Sequence, residues 1–313
     1  YRVGTAVYHS ETGHFQENIE ENAFYSLAKS YLNLGVMPDV EEIDFTFVDY
    51  VSKAICLLHN RKNLMNETLH IINNNKVNLS ALLTSREGFL NIEKYSFSKF
   101  IDYLYKHYEN PQLKTHIENI MLHKGWFSQE EINLVLLSDK SDIILKKLGF
   151  QWPCPDIIKM RPVIQRALLD RINLLQDIPL FSELSCEELL DFACLGKEEY
   201  YPDEEDILWE EDINRNLYFI IDGFVEVMKY SKSGWLGTIR VMGPGNFFGE
   251  GNIWEESPSG ITAEVFMGDA RVIAFKGEDF IKLMKDYPLF TVNFVKEVTD
   301  RVRKLENIMI EFG

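Results

Sequence analysis

The hydrophobic residues of this 313-residue chain change their spacing twice. Before Lys197 and after Asp279 they recur every three or four positions, as in amphipathic α-helices. Between these points they alternate with polar residues, as in half-buried strands; the alternating set is Ile207, Trp209, Tyr218, Ile220, Val225, Val227, Ile239 and Val241. Short strands bracketed by helices predict an α+β fold, with an antiparallel, jelly-roll-like β-roll flanked by helices.

The first half of the chain has a helical pattern throughout. Its hydrophobic residues follow the helical period in three clear runs, within residues 23–32, 45–58 and 97–105. Residues 152–155 interrupt this pattern, and one helix is predicted from about Pro162 to Leu175. We therefore expect three parts, which are an all-α domain at 1–150, a connecting segment and helix at 151–177, and the roll at 178–313.

The net charge of −17 is concentrated in the predicted roll. Residues 178–313 contain 27 acidic and 13 basic side chains, a net charge of −14. Nucleic acid and anionic lipid are bound through Lys and Arg, so this balance predicts no nucleic-acid partner. No apolar run is long enough to cross a membrane, and no signal peptide is evident. Since the chain starts at Tyr1, we expect a piece of a longer protein in which any membrane contact is indirect.

No motif for catalysis or metal binding is found in the sequence. Walker-type loops, nucleophile elbows and the His-Glu-x-x-His pattern are absent, and the histidines are scattered. The four cysteines lack metal-type spacing and are expected to be buried, reduced thiols; they are Cys56, Cys154, Cys186 and Cys194. We therefore predict an intracellular, cytoplasmic protein that is not an enzyme and has no metal or cofactor.

Two segments of the roll carry the most specific motifs. Residues 217–227 read LYFIIDGFVEV, and residues 243–250 read GPGNFFGE. Together they closely resemble the cyclic-nucleotide-binding domain family. That family includes catabolite-activator-type regulators, regulatory subunits of cyclic-AMP-dependent kinase and cytosolic domains of nucleotide-gated channels. The resemblance covers about 135 residues and implies a regulatory β-roll, with a cyclic nucleotide as the ligand that the family would bind.

The family binds its ligand in a phosphate-binding cassette, which is a loop-helix between two strands. By resemblance, the candidate ligand-binding residues here are Phe248, Gly249, Glu250, Gly251, Asn252, Ser259, Gly260, Ile261 and Thr262. Gly249 and Glu250 match the pair that binds the ribose. Two other interpretations stay open, in which Gly249 serves only a tight turn and Glu250 is only a solvated or capped carboxylate.

The cassette lacks the arginine that clamps the cyclic phosphate in the family. By resemblance that position falls at Ser259, Gly260 or Ile261, and residues 250–270 contain no Lys or Arg. We therefore expect an anion there to meet only neutral or negative side chains, and predict that the roll does not bind cyclic AMP or cyclic GMP in the usual way. A cyclic phosphate seated there and held by a basic residue from elsewhere in the fold, such as Arg240, would overturn this expectation.

The C-terminal helix carries a hydrophobic stripe with heptad-like spacing. It consists of Val295, Val298, Val302, Leu305 and Met309. The stripe predicts either packing onto the roll of the same chain or a homodimer formed with a second copy.

The sequence as a whole predicts a non-enzymatic regulatory or scaffolding protein that contacts protein partners or a covalently continuous domain. The alternatives are a genuine cyclic-nucleotide sensor, the cytosolic regulatory tail of a channel or exchanger, and an interaction subunit of a large assembly.

Overall fold

A computed structural model of the protein describes residues 1–39, 43–59, 61–83, 90–122, 138–156, 158–230, 236–254 and 256–311. The chain divides into two compact units, Tyr1–Leu168 and Leu169–Gly313. Their boundary falls inside the segment 151–177 that the sequence predicts to be a connection. Within the described residues, no helix combines the length and the apolar composition that crossing a membrane requires.

The N-terminal unit consists mainly of helices. The Asn22 side chain accepts a hydrogen bond from the Tyr25 backbone N–H (3.1 Å) and so caps α1 (Ala23–Leu34). This helix ends at Gly35, whose φ of 65° is the left-handed conformation that glycine tolerates best. The other α-helices described in this unit are α2 (Val48–His59), α3 (Leu79–Leu83), α4 (Phe97–His107), α5 (Pro111–Leu122), α6 (Asp139–Lys147) and α7 (Arg161–Ala167).

Six short strands in this unit correct the expectation of a purely helical domain. They are β1 (Arg2–Val3), β2 (Ala6–Val7), β3 (Val36–Pro38), β4 (Thr46–Phe47), β5 (His70–Ile71) and β6 (Glu93–Tyr95). They form three parallel pairs, β1 with β5, β2 with β4, and β3 with β6. Strands of two or three residues are too short for alternation to become visible in a sequence.

The single helix predicted from about Pro162 to Leu175 is two helices in the structure. The first is α7, and the second is α8 (Leu169–Gln176). Between them Leu168 leaves the helical conformation, with φ −104° and ψ 12°, while its side chain is fully buried. The hydrophobic period continues across the break, so the pattern alone cannot reveal it.

The C-terminal unit confirms the predicted antiparallel β-roll flanked by helices. After α8, a capping box of Ser185 and Glu188 opens α9 (Cys186–Leu195). The strands are β7 (Lys197–Tyr201), β8 (Asp206–Leu208), β9 (Asn216–Tyr230), β10 (Leu236–Met242), β11 (Phe247–Phe248) and β12 (Thr262–Lys276). Their order is β10-β9-β12-β7, with β11 paired to β9 and β8 to β12. The chain continues through α10 (Gly277–Asp286) and α11 (Pro288–Glu311).

Two hydrophobic cores stabilise this unit. One lies inside the roll and consists of Ile207, Leu208, Tyr218, Ile220, Val225, Val227, Met242, Phe248, Ala263, Val265, Ala270, Val272 and Ala274. The other is an aromatic cluster between the roll and its helices, formed by Phe181, Phe192, Phe219, Phe275, Phe280, Phe290 and Phe294. Packed aromatic pairs of this kind add to the stabilisation from buried apolar area, so the helices are firmly attached to the roll.

Two described residues of the stripe on the C-terminal helix are exposed, whereas a third, Val298, is half-buried. Val295 is 51% exposed and Val302 is 49% exposed, whereas Phe290 and Phe294 form the buried face of α11. The structure therefore contradicts packing onto the same chain at these two positions. The side chains of Leu305 and Met309 lie outside the described part of the structure.

Candidate functional site

The predicted cassette connects β11 to β12, and its first residues lie against β9. Phe247 and Phe248 pair with Phe219 and Tyr218 in antiparallel register. The next residue, Gly249, has a φ of 87°, and a Cβ atom there would lie 2.5 Å from the Asn216 carbonyl oxygen. Only glycine fits such a close backbone approach, so Gly249 has a structural role in this turn.

Glu250 lies between two arginines from distant parts of the chain. Its Oε1 atom is 3.5 Å from Arg240 Nη2, on β10, and 3.4 Å from Arg301 Nη1, on α11. The side chain of Glu250 is 22% exposed and that of Arg301 is 14% exposed. Glu250 is therefore a partly buried, ion-paired carboxylate rather than a solvated one, and its part in ligand binding stays a prediction.

Arg301 is held by more than this ion pair. It donates a hydrogen bond to the Phe247 carbonyl oxygen (2.7 Å), and its guanidinium lies 3.6 Å from the centre of the Phe247 ring. Burial lowers the pKa of Arg301, the charge of Glu250 opposes this effect, and the positive charge of Arg240 lowers the pKa further. The side chain stays protonated at neutral pH, as arginine does in proteins, so the site contains a buried positive charge.

The three candidate positions for the missing arginine differ in the directions they face. Ser259 is 2% exposed; its N–H donates to the Asp212 carbonyl oxygen (2.9 Å), and its hydroxyl donates to the Ile261 carbonyl oxygen (2.8 Å). The Gly260 carbonyl oxygen accepts a hydrogen bond from Lys229 Nζ (2.8 Å). The side chain of Ile261 packs against the core inside the roll. The Ile261 side chain is thus partly buried against the roll, whereas Ser259 is the most buried of the three.

The expectation of only neutral or negative neighbours is wrong for the surroundings of the cassette. Arg240, Arg301 and Lys229 all reach it, although none belongs to residues 250–270. Acidic groups are present as well, since burial raises the pKa of Glu264 and the negative charges of Asp206 and Glu226 raise it further. The site thus combines two partly buried arginines, which pair with Glu250, with an acidic surface near the start of β12.

The remaining predicted residues divide into open and packed positions. A Cβ atom on Gly251 would meet nothing within 4 Å, so this backbone is accessible. Asn252 is 6% exposed, and its buried Nδ2 atom has no hydrogen-bond partner in the described structure. The Thr262 hydroxyl accepts a hydrogen bond from the Glu210 N–H (3.2 Å). Phe248 stacks on Tyr218 at 5.0 Å, so side chains fill this part of the roll.

Comparison with known proteins identifies the domain. The family model described as "Cyclic nucleotide-binding domain" matches residues 198–287. The "Cyclic AMP receptor protein" of Thermus thermophilus is 27% identical over 128 residues, which cover 41% of this chain and 59% of that protein. The chain thus spans about three fifths of the length of this curated relative.

Solved structures give matches over the same part of the chain. The catabolite activator protein of Thermus thermophilus is 27% identical, with a TM-score of 0.39, over 43% of this chain and 63% of that one. The regulatory subunit of a cAMP-independent protein kinase A from Trypanosoma brucei is 17% identical, with a TM-score of 0.40, over 46% of this chain and 53% of that one. Residues 198–287 of the C-terminal unit thus match the cyclic nucleotide-binding domain family, in agreement with the motifs and the antiparallel roll.

Proposed function

We propose that this protein is a non-enzymatic regulatory module whose roll does not bind cyclic AMP or cyclic GMP in the usual way, and acts through protein contacts. The observation that carries the proposal is the side chain of Ile261. It is partly buried against apolar residues of the roll, at one of the three positions where the resemblance implies an arginine. A cyclic phosphate placed there would lose its ionic partner and would lie against a hydrocarbon surface.

The size of this loss is sufficient to abolish ordinary sensing. A hydrogen bond to a charged group contributes about 1.5–3 kcal/mol, which corresponds to a roughly 10- to 150-fold change in affinity. The stacked pair of Tyr218 and Phe248 also fills space inside the roll. Both features favour a folded platform over a cyclic-mononucleotide receptor.

The second candidate is a genuine sensor of an anionic ligand, and specific donors favour it. Among the described residues, the buried nitrogen atoms that lack a hydrogen-bond acceptor include three in or beside the cassette, which are Arg240 Nε, Arg301 Nη2 and Asn252 Nδ2. A ligand that supplied acceptors to them would bind beside Glu250 rather than at Ile261. In that case the ligand would bind more tightly to one position of α11 than to another, because Arg301 belongs to that helix. This difference in affinity would transmit ligand binding to the helix.

Calorimetric titration of the full chain with cyclic AMP and cyclic GMP separates the two candidates. We expect no sub-micromolar binding by the unmodified chain, and a gain of about 10- to 150-fold in the Ile261→Arg variant. Ile239→Arg is the matched control, since Ile239 is 44% exposed on β10 and the same charge added there should leave affinity unchanged. Sub-micromolar binding by the unmodified chain would reject the first candidate in favour of the sensor.

A second substitution keeps the test decisive if the Ile261→Arg variant misfolds. Gly260→Arg places the charge one residue earlier, where a Cβ atom would meet nothing closer than Lys229 Nζ at 3.7 Å. If both variants fold, as judged by circular dichroism, and neither gains affinity, then the missing arginine is not the reason for weak binding.

The partner of the module is proposed to be protein, including a second copy of the chain through the stripe on α11. The exposed valines of that helix support this assignment. An intracellular, cytoplasmic location is supported by the cysteines, all four of which are free. Only Cys194 is buried as expected, whereas Cys56, Cys154 and Cys186 are exposed.

A further inference from the structure

A cavity of about 360 Å³ opens on the surface of the N-terminal unit, away from every residue discussed so far as a site. It lies between residues 74–75, the second half of α6 and residues 150–152. The cavity combines an aromatic wall with amide, carboxylate and ammonium groups. Pockets that bind small molecules have this character, with apolar walls and a few polar groups that fix orientation.

The aromatic wall is rigidly built. Phe150 is 3% exposed and meets Trp152 edge to face, with ring centroids 5.1 Å apart. Tyr50 supports both rings from behind, at 5.8 Å from Phe150 and 6.2 Å from Trp152. Because these rings belong to the buried cluster around Leu58 and Leu145, the wall exists before any ligand arrives.

One polar group of the cavity is the carboxylate of Asp142, which forms no salt bridge with a described residue although the charge of Lys146 acts on it. Asp142 Oδ2 accepts hydrogen bonds from the Ser138 hydroxyl (3.0 Å) and from Asn74 Nδ2, whereas Oδ1 has no donor in the described structure. Burial raises the pKa of Asp142, and the hydrogen bond from Ser138 and the charge of Lys146 oppose this only in part. A ligand ammonium group would stabilise the ionised carboxylate.

Two donors line the cavity, one buried and one exposed. The Trp152 Nε1 atom is buried and has no hydrogen-bond partner in the described part of the chain, which is unusual for an indole N–H. Lys146 lies one helical turn after Asp142, lowers the pKa of that carboxyl by its charge, and lines the cavity as an exposed side chain. A ligand carboxylate would satisfy the neutral donor and the positive charge together.

From these groups we propose that the cavity binds a free α-amino acid with a large apolar side chain. The ligand ammonium group pairs with Asp142, the ligand carboxylate accepts from Trp152 Nε1 and pairs with Lys146, and the apolar side chain packs against Phe150. The three requirements exclude a simple amine, a simple carboxylic acid and glycine, each of which lacks one of the matching parts. This inference is independent of the roll and of its nucleotide site.

Calorimetric titration of the full chain with L-phenylalanine tests the proposal. The comparison ligands are phenylethylamine, which lacks the carboxylate, 3-phenylpropionate, which lacks the ammonium group, and glycine. We expect L-phenylalanine to bind and each comparison ligand to bind at least about tenfold more weakly, because each loses one charge-assisted contact or the apolar one. No heat from L-phenylalanine at millimolar concentration, or equal affinity for phenylethylamine, would overturn the proposal.

Substitutions assign the contacts. Asp142→Asn should weaken binding about tenfold or more, and Trp152→Phe, which keeps the aromatic wall and removes only the N–H, about two- to tenfold. Lys146→Gln should also weaken binding. Lys147→Gln is the matched control, since Lys147 is exposed like Lys146 but does not line the cavity, and it should leave affinity unchanged. Loss of affinity in the control equal to that in Lys146→Gln would contradict the assignment.

A second measurement does not depend on the folding of the Asp142 variant. The indole N–H resonance of Trp152, identified by its disappearance in Trp152→Phe, should shift when L-phenylalanine is added to the ¹⁵N-labelled chain. A Trp152 resonance that stays in place at saturating ligand would show that the buried donor is not part of a binding site.

Discussion

The charge of Glu198 should be essential for the stability of the C-terminal unit. Glu198 begins the roll on β7, and its side chain is 8% exposed. Its Oε1 atom accepts a hydrogen bond from Arg171 Nε on α8 (3.1 Å), and its Oε2 atom accepts one from Arg271 Nε on β12 (3.1 Å). Arg171 is 3% exposed and also donates to two carbonyl oxygens, those of Ala193 and Gly196 (both 2.9 Å). One carboxylate therefore neutralises two arginines from different elements.

Glu198→Gln keeps the shape of this side chain and removes its charge. The variant removes the carboxylate charge that pairs with Arg171, which is 3% exposed, and breaking a buried pair in this way costs about 3–5 kcal/mol. Solvent screens part of the loss at Arg271, which is 30% exposed, so we expect a value near the lower end. With a urea dependence of roughly 2 kcal/mol per molar, a loss of about 3 kcal/mol lowers the unfolding midpoint by about 1.5 M.

Urea unfolding followed by hydrogen-exchange mass spectrometry measures this effect on peptides from β7 and β12, separately from the N-terminal unit. Asp300→Asn is the control, since Asp300 and Arg303 form an exposed pair with side chains 49% and 71% exposed. Such a pair contributes at most about 1 kcal/mol, so its midpoint should stay close to that of the unmodified chain. Equal midpoints for Glu198→Gln and the unmodified chain would refute the assignment of Glu198 as the counter-ion of Arg171.

Two further predictions concern acidity and association. Burial alone would raise the pKa of Glu198, but the charges of Arg171 and Arg271 hold it below its usual value. The stabilisation that Glu198 provides is therefore present above about pH 4.3 and is lost at lower pH. Urea titrations between pH 6 and 3 should show a shallower loss of stability in Glu198→Gln than in the unmodified chain, and parallel curves for the two proteins would contradict this. Sedimentation velocity should show that the unmodified chain forms a dimer. This dimer should dissociate in the double variant Val295→Glu, Val302→Glu but persist in Lys304→Glu. An unmodified chain that is monomeric at about 100 μM would disprove a dimer formed through α11.

The sequence predicts the roll because several independent signals agree there. Alternation at Tyr218, Ile220, Val225 and Val227 gives four residues that the structure places in the interior. The capping box at Ser185 and Glu188 forms as expected. Local hydrogen bonds and periodic burial depend on residues that are close together in the sequence, so a single sequence is sufficient to predict them.

The same alternation fails at the sheet edge. The alternation predicts that Ile239 and Val241 lie on the covered face of a half-buried strand, yet these side chains are 44% and 48% exposed. They lie on β10, which is the last strand in the sheet order and has a neighbour only on the β9 side. A hydrophobic pattern predicts that a segment is a strand, but the position of the strand in the sheet decides how much of each side chain is covered.

The site was only partly predictable because its charges come from far apart in the chain. Arg240 could be named in advance as a basic residue able to reach the cassette, whereas Arg301, 51 residues beyond Glu250, could not. The sequence around Arg301 indicates only weakly that this residue reaches the cassette, since an arginine on an amphipathic helix usually faces water. Only the packing of Phe290 and Phe294 against the roll turns that side of α11 inward and brings Arg301 over Phe247.

This arrangement connects the cassette to the helix that carries the exposed valines. Anything that draws Glu250 away from Arg301 removes a contact between the cassette and α11, and by linkage anything that fixes α11, such as a second copy, strengthens that contact. Arg301 would still be anchored by the Phe247 carbonyl oxygen and ring, so the effect should be a change in the equilibrium position of α11 rather than its release. The roll can therefore influence its helix through Glu250 even if no cyclic nucleotide enters, because the ion pair itself lies on the surface of contact between them.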